Sequence, residues 1–425
     1  MFFFKPFMRP RSRRSPAAVR TRLNVEQLEV RAVPTCCLPH NELLVNTNTT
    51  GSHQTSASGG QAVATDTAGD FVVVYSGQGQ NGPGSTGIYA QRYAVTGTRL
   101  GSEIQVNTYT KGTVTDPAIA MDAAGDFIVT WSAYGEDGSG WGVYGQRYNS
   151  LGVAQGGEFQ VNTYTSGDQN DARVGMDAVG NFTIVWSSSS EDGSGWGVYA
   201  QRYNSSGVAQ GSEFRINTTT AGDQEYVSIA MNGTGSFVVS WSSNGQDGSG
   251  WGVFAQRCNA SGVEQGREFQ VNTYTKGDQM YSSVGIDPAG DFVITWSSNG
   301  EDGSGWGTYA QRYSSSGVAQ GGEFLVNTYT TGDQMYSTVA MDANGNFTIT
   351  WSSNGQDGGG WGVYAQQFTS AGAKSGSETR VNTTTAGDQQ YSSIAMTATG
   401  QAVIVWSGNG VGDSSGVFAQ QWQLL

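Results

Sequence analysis

Between residues 41 and 425, apolar and polar positions alternate in short runs, and the runs recur. One unit shows the order clearly. "EFQVNT" (Glu158–Thr163) alternates apolar and polar side chains, "TSGDQND" reads as a polar loop, and "ARVGMDA" alternates again with Val174 and Met176 on one face. After the turn "AVGN", where Gly180 can take a positive φ, "FTIVW" puts Phe182, Ile184 and Trp186 on one face. An acidic, glycine-rich loop "EDGSGW" (Glu191–Trp196) follows, and "GVYAQRY" then sets Val198 and Ala200 opposite Tyr199, Gln201 and Tyr203. The pattern predicts four short strands per unit and no long helix.

The triplet "VNT" or "INT" begins at Val45, Val106, Val161, Ile216, Val271, Val326 and Val381, so the first interval is 61 residues and each later one is 55. Units of this length cannot bury an apolar face alone and must stack. Tandem immunoglobulin-like sandwiches need about 100 residues per domain, and coils of a parallel β-helix are much shorter than these units. Four antiparallel strands repeated seven times fit an all-β, seven-bladed β-propeller. The chain ends agree. The last unit stops after "GVFAQQW" (Gly416–Trp422) without an outer strand, whereas the first begins with an unaccompanied "NELLVNT" (Asn41–Thr47). The expectation is a ring closed by Leu43–Thr47 pairing with Val417–Trp422, which would satisfy both open edges.

Composition narrows the function classes. Eight of the 21 Lys and Arg residues precede residue 41, leaving 13 basic and 33 acidic side chains in residues 41–425. Such an acidic body argues against a nucleic-acid partner and favours cations or neutral ligands. The three cysteines (Cys36, Cys37, Cys258) give no disulfide framework, and Cys258 stands where other units carry Tyr or Phe. Residues 1–40 form a basic leader with no apolar run long enough for a transmembrane helix. The chain is read as a monomer with domains 1–40 and 41–425.

Two stretches resemble known proteins. "RLNVEQLEVRAVPT" (Arg22–Thr35) resembles the leader ending in "VExLExR" on many large surface and secreted bacterial proteins, with Val25, Glu26, Leu28, Glu29 and Arg31 in register. The repeats resemble the "EFQVNTYTTGDQ…FVVTWSSNGQDGSGWGVYAQRY" units of large secreted bacterial proteins. These resemblances imply an extracellular or cell-surface location. The nonapeptide "GGxGxDxx" arrays that often accompany such units are missing, so the calcium roll and its export route are not implied.

The acidic loops are the candidate sites. They present Asp137, Asp192, Asp247, Asp302 and Asp357, preceded by Glu136, Glu191, Gln246, Glu301 and Gln356, and end at Trp141, Trp196, Trp251, Trp306 and Trp361. The structural reading has Asp shaping the turn and Trp packing between blades. A second reading is calcium, held by the five aspartates with Glu136, Glu191 and Glu301, although the Glu/Gln interchange weakens it. A third is a glycan or protein ligand stacked on the five tryptophans. "GDQ" aspartates (Asp168, Asp223, Asp278, Asp333, Asp388) are expected to cap turns on one rim, and Arg92, Arg147, Arg202, Arg257 and Arg312 to stack or pair within their blades and not to form an anion cluster.

Only His40 and His53 are present, which argues against a histidine-dependent triad or zinc site. The reading is therefore a non-enzymatic binding or adhesion module. A glycan-active hydrolase or lyase is the alternative, and would show itself as an asymmetric pocket holding two carboxylates near the central channel. "TVTDPAIA" (Thr113–Ala120) and "GQGQNGPGST" (Gly77–Thr86) are the places to seek such asymmetry. A passive envelope component would instead bury its loop tryptophans and bind nothing.

Overall fold

The computed structural model describes residues 1–3, 42–56, 60–79 and 85–423; the leader motif at Arg22–Thr35 and part of Gly77–Thr86 lie outside them. The strands form seven antiparallel sheets, the blades of a β-propeller, with no helix among the described residues. In the third blade the inner strand is Gln169–Met176, followed outwards by Phe182–Ser189, Trp196–Tyr203 and Phe214–Arg215. The outer strand is shorter than the sequence suggests, two residues in most blades. Short outer edges offer little template for pairing with another chain.

Alternation along the middle strands sorts side chains between two interfaces, because each blade is covered on both faces. Phe182, Ile184, Trp186 and Tyr199 pack on Ala118, Ile128 and Val143 of the second blade. Val185, Val198 and Ala200 pack on Ile229, Val239 and Trp241 of the fourth. Hence the second strands are buried almost end to end. The plate between blades is the tryptophan of the second strand (Trp131, Trp186, Trp241, Trp296, Trp351, Trp406), each wholly inaccessible to solvent.

Polar contacts tie the blades together. The glutamate before each outer strand accepts a backbone N–H from the preceding blade, as in Thr163 to Glu213 at 2.7 Å and Thr273 to Glu323 at 2.7 Å. The arginines reach across blades, Arg202 Nη1 donating to the Ser261 carbonyl at 2.8 Å and Arg92 to the Leu151 carbonyl at 2.7 Å, and two of them also pair within their own blade, Arg257 with the Gln265 carbonyl and Arg312 Nη2 with the Gln320 carbonyl at 2.8 Å. Their long side chains can span to the next blade's turn, whose carbonyls have no strand partner.

Ring closure follows expectation over its central part. Leu43 and Leu44 pair with Ala419 and Phe418, and Val45 N–H donates to the Val417 carbonyl at 2.8 Å. Glu42 accepts from Thr383 N–H at 3.0 Å and Glu103 from Thr47 N–H at 3.0 Å, so the glutamate clamp runs through the junction as well. Asn46 donates to Asp413 at 2.7 Å, and His53 lies 3.7 Å from the same carboxylate.

The first blade is the irregular one. Its inner strand is split into His53–Gln54 and Val63–Thr65, both paired with Phe71–Gln78. Gln61 donates to the Ile229 carbonyl at 2.8 Å, and its own carbonyl accepts the Ile119 N–H at 2.9 Å.

Candidate functional site

The polar loop expected at "TSGDQND" ends sooner than the alternation suggests. Gln169, Asn170 and Asp171 already belong to the inner strand, with a bulge between Asn170 and Arg173. The same bulge recurs in every blade from the second to the seventh, and its central residue takes a positive φ: Asp116 (52°), Asp171 (58°), Tyr226 (57°), Tyr281 (56°), Tyr336 (57°) and Tyr391 (56°). An L-residue there costs roughly 1–2 kcal/mol. A bulge re-aims a side chain out of the strand's own alternation, and here all six line the channel mouth.

Repetition of backbone with variation of side chain makes the mouth asymmetric. Blades four to seven contribute an aromatic arc, in which the Tyr226–Tyr281, Tyr281–Tyr336 and Tyr336–Tyr391 ring centroids are 5.0, 5.1 and 5.1 Å apart. The interplanar angle of 65° makes the first pair edge-to-face, a geometry that ring quadrupoles favour, while 51° and 58° make the other two tilted. Blades two to four contribute Asp116, Asp171 and Glu225. Between the two arcs lies a cavity of about 380 Å³.

Each acidic group has its own surroundings. Asp171 sits 2.8 Å from Nη2 of Arg173, a guanidinium only 1% exposed that also donates to Ser56 Oγ at 3.1 Å and to the Ala172 carbonyl at 2.8 Å. Burial, aided by the charge of Asp171, pushes the Asp116 carboxyl up to about 6, against the opposing pull of Arg173 and Ser56. Burial first, then Asp223 and Asp171, pushes Glu225 up to about 7. Burial likewise raises Tyr226 and Tyr336 to about 12, so both remain neutral hydroxyl donors.

One lining serine breaks a series. Ser132, Ser242, Ser297 and Ser352 each accept the N–H of the bulge residue in the next blade, at 3.1–3.3 Å. Ser187, which should serve Tyr226, does not, and its hydroxyl is 1% exposed without a hydrogen-bond partner. It lines the cavity where the acidic and aromatic arcs meet.

The loop residues singled out from sequence stand around this mouth in two roles. Oδ1 of Asp137, Asp192, Asp247, Asp302 and Asp357 accepts the N–H two residues on, at 2.9–3.0 Å, which shapes the turn. The "GDQ" aspartates accept the backbone N–H of the loop tryptophan one blade back, Asp168 from Trp141 and Asp278 from Trp251 both at 3.0 Å. That places both loop sets on one rim. The loop tryptophans are half-buried, not the plates between blades. Trp251 and Trp306 stand behind the arc, 6.0 Å from Tyr226 and 6.5 Å from Tyr281, while Trp141 packs on Tyr134.

The Glu/Gln interchange has a structural cause. Gln246 donates to Glu268, and Gln356 to Glu378, each at 2.5 Å. Glu136, Glu191 and Glu301 face Glu158, Glu213 and Glu323 in the same way. Burial together with these partner carboxylates raises Glu136 to about 8 and Glu191 and Glu301 to about 7. Each can then donate as a carboxylic acid where its counterpart donates as an amide. Among the described residues no three His, Cys, Asp or Glu side chains converge as metal ligands would. A calcium ion here would draw most of its oxygens from loop carbonyls and hydroxyls.

The bulge residues escaped the strand reading because their side chains leave the alternation. A signal was present in the aligned repeats: the third inner-strand position reads Asp, Asp, Tyr, Tyr, Tyr, Tyr from the second unit to the seventh. "TVTDPAIA" does contain Asp116.

No family model and no curated protein matches this chain. It is similar in fold to a solved protein of unknown function from Dyadobacter fermentans, with a TM-score of 0.52 at 9% identity over 90% of this chain and 98% of that one. It is also similar to an α-L-arabinanase from Penicillium chrysogenum solved with arabinobiose, with a TM-score of 0.50 at 14% identity over 72% of this chain and 92% of that one. At these identities the likeness concerns the fold.

Proposed function

We propose that the chain is an extracellular, non-enzymatic glycan-binding module whose ligand enters the channel mouth. The observation that carries this is the arc of four tyrosines facing Asp116, Asp171 and Glu225 across one cavity. Aromatic faces stack on the apolar faces of sugar rings, while carboxylates and the Ser187 hydroxyl accept or donate to sugar hydroxyls. The secreted-repeat and leader resemblances support the location, and the half-buried loop tryptophans speak against a passive envelope role. The test is binding of the full chain to an array of oligosaccharides. Retention of at least one glycan, lost in Tyr281→Asn, supports the proposal; retention of none rejects it.

One observation favours hydrolysis as a second reading. Asp116 is pushed towards the protonated form while Asp171 is held by a buried guanidinium, the separation of environments that acid and base partners need. Release of reducing ends from a bound oligosaccharide, abolished by Asp116→Asn, would establish it. Calcium enters the proposal only as a stabiliser of the acidic loops, supported by the buried Oδ2 atoms of Asp192 and Asp302 that have no hydrogen-bond partner. Unfolding several degrees higher in millimolar calcium than in chelator, lost when the five loop aspartates become Asn, is the expected result.

A further inference from the structure

We infer that the channel-mouth pocket takes an amino sugar, a glycan unit whose ammonium group sits between the carboxylates and the tyrosine arc. The inference rests on the glycan-binding reading above and adds the charge of the ligand. Three observations point the same way.

The first is the lining. It includes three carboxylates, and none of its members is Lys or Arg. The nearby Arg173 is held by Asp171, Ser56 and the Ala172 carbonyl. A neutral sugar would leave an excess of negative charge in a half-enclosed space; an ammonium neutralises it.

The second is the arc. Tyrosine faces attract a cation through the ring quadrupole, and they do so more strongly where the cation is partly desolvated. Four rings in contact form a continuous wall against which an ammonium-bearing ring can lie. Trp251 and Trp306 support two of them from behind.

The third is Ser187. Its buried hydroxyl lacks a partner although its counterparts in four other blades have one, and it opens into the cavity at the junction of the arcs. A ligand donor or acceptor there would complete its hydrogen bonding, and an unfilled buried polar group carries a cost that ligand binding would relieve.

A pH dependence follows from this arrangement. Asp116 and Glu225 hold their protons to about 6 and about 7 in the free pocket. An ammonium favours their ionised forms, so binding releases protons and tightens as pH rises from 5 to 6, a range in which the sugar amine itself stays protonated. The other groups facing the site are Asp171, Arg173, Asp223 behind Glu225, and the four tyrosines, whose raised hydroxyls stay neutral across this range. His53 is turned to Asp413.

The experiment is calorimetric titration of the full chain with a glucosamine tetramer and, separately, with its N-acetylated counterpart, at pH 5 and pH 6. The expected result is tighter binding of the amine than of the acetylated tetramer at pH 6, by at least about tenfold, with the preference falling about fivefold at pH 5. Asp116→Asn, verified as folded by its thermal transition, should reduce the pH response to the share carried by Glu225. Equal binding of the two tetramers overturns the ammonium inference and leaves the glycan reading standing. Binding of neither, with wild-type protein folded, overturns the amino-sugar inference, and the glycan reading then stands or falls on the oligosaccharide array.

Discussion

Tyr281 illustrates how a single position serves the site at the expense of its own backbone. At φ 56° it sits where Gly or Asn would be relaxed, and the same holds for three neighbouring tyrosines. Replacing Tyr281 with Asn releases about 1 kcal/mol of backbone strain and loses edge-to-face contact of about 0.5–1.5 kcal/mol. The expected outcome is a melting temperature within about 2 °C of wild type, with glycan affinity reduced at least tenfold. A large fall in stability would instead make the arc a packing device.

Cys258 is a second residue-scale case. In five other blades this position stacks on the phenylalanine that starts the second strand, as in Phe182–Tyr203 at 4.9 Å and Phe347–Phe368 at 4.9 Å. Cys258 pairs with Phe237 in the same register but fills less volume, and a cavity of about 590 Å³ lies beside it. Burial raises its thiol to about 12, so it behaves as a small apolar side chain. Cys258→Phe should raise stability by about 0.5–2 kcal/mol in denaturant unfolding.

At the scale of the element, the loop after the second strand meets, through its acid or amide, the glutamate of its own blade that clamps the preceding blade, as Gln246 meets Glu268 and Glu268 accepts the Thr218 N–H. Glu136, Glu191 and Glu301 are raised in the folded state, so their stabilising contribution is whole below the unfolded glutamate pKa and is lost as pH rises through about 7–8. Gln246 and Gln356 supply the same donor without titrating. The triple variant with Gln at the three glutamates should therefore melt higher than wild type at pH 8.5, on the order of 1 °C per site at these half-exposed positions, and equally at pH 5. An unchanged difference between the two pH values would show that no proton is shared there.

For the whole molecule, stability depends on closing the ring. Leu43–Val45 supplies the outer strand of the last blade, and Glu42 and Glu103 carry the clamp across the junction. A chain starting at Asn48 loses that strand, exposes the edge of Asp413–Gln423, and should melt at least 10 °C lower by scanning calorimetry, with a tendency to self-associate. A small shift would mean that the seven stacked interfaces hold the ring without the latch.

Much of this architecture was legible before any coordinates. The spacing of "VNT", the alternation in "FTIVW" and "GVYAQRY", and the orphan strand at Leu43 determined seven four-stranded blades and how they close, because stacking is the only way such units bury their apolar faces. The turn role of the loop aspartates was legible as well, since Asp two residues before a free N–H acts locally. Position in space is another matter. Which tryptophan lies between blades, and which face each side chain meets, depended on blades being covered from both sides. The mouth of the channel was decided by tertiary structure alone: Asp116, Asp171 and Tyr226 are 55 residues apart in sequence and meet only because the ring brings one bulge from each blade to a common axis. Local sequence fixes the bulge and the strand; closure of the ring fixes what the bulges face.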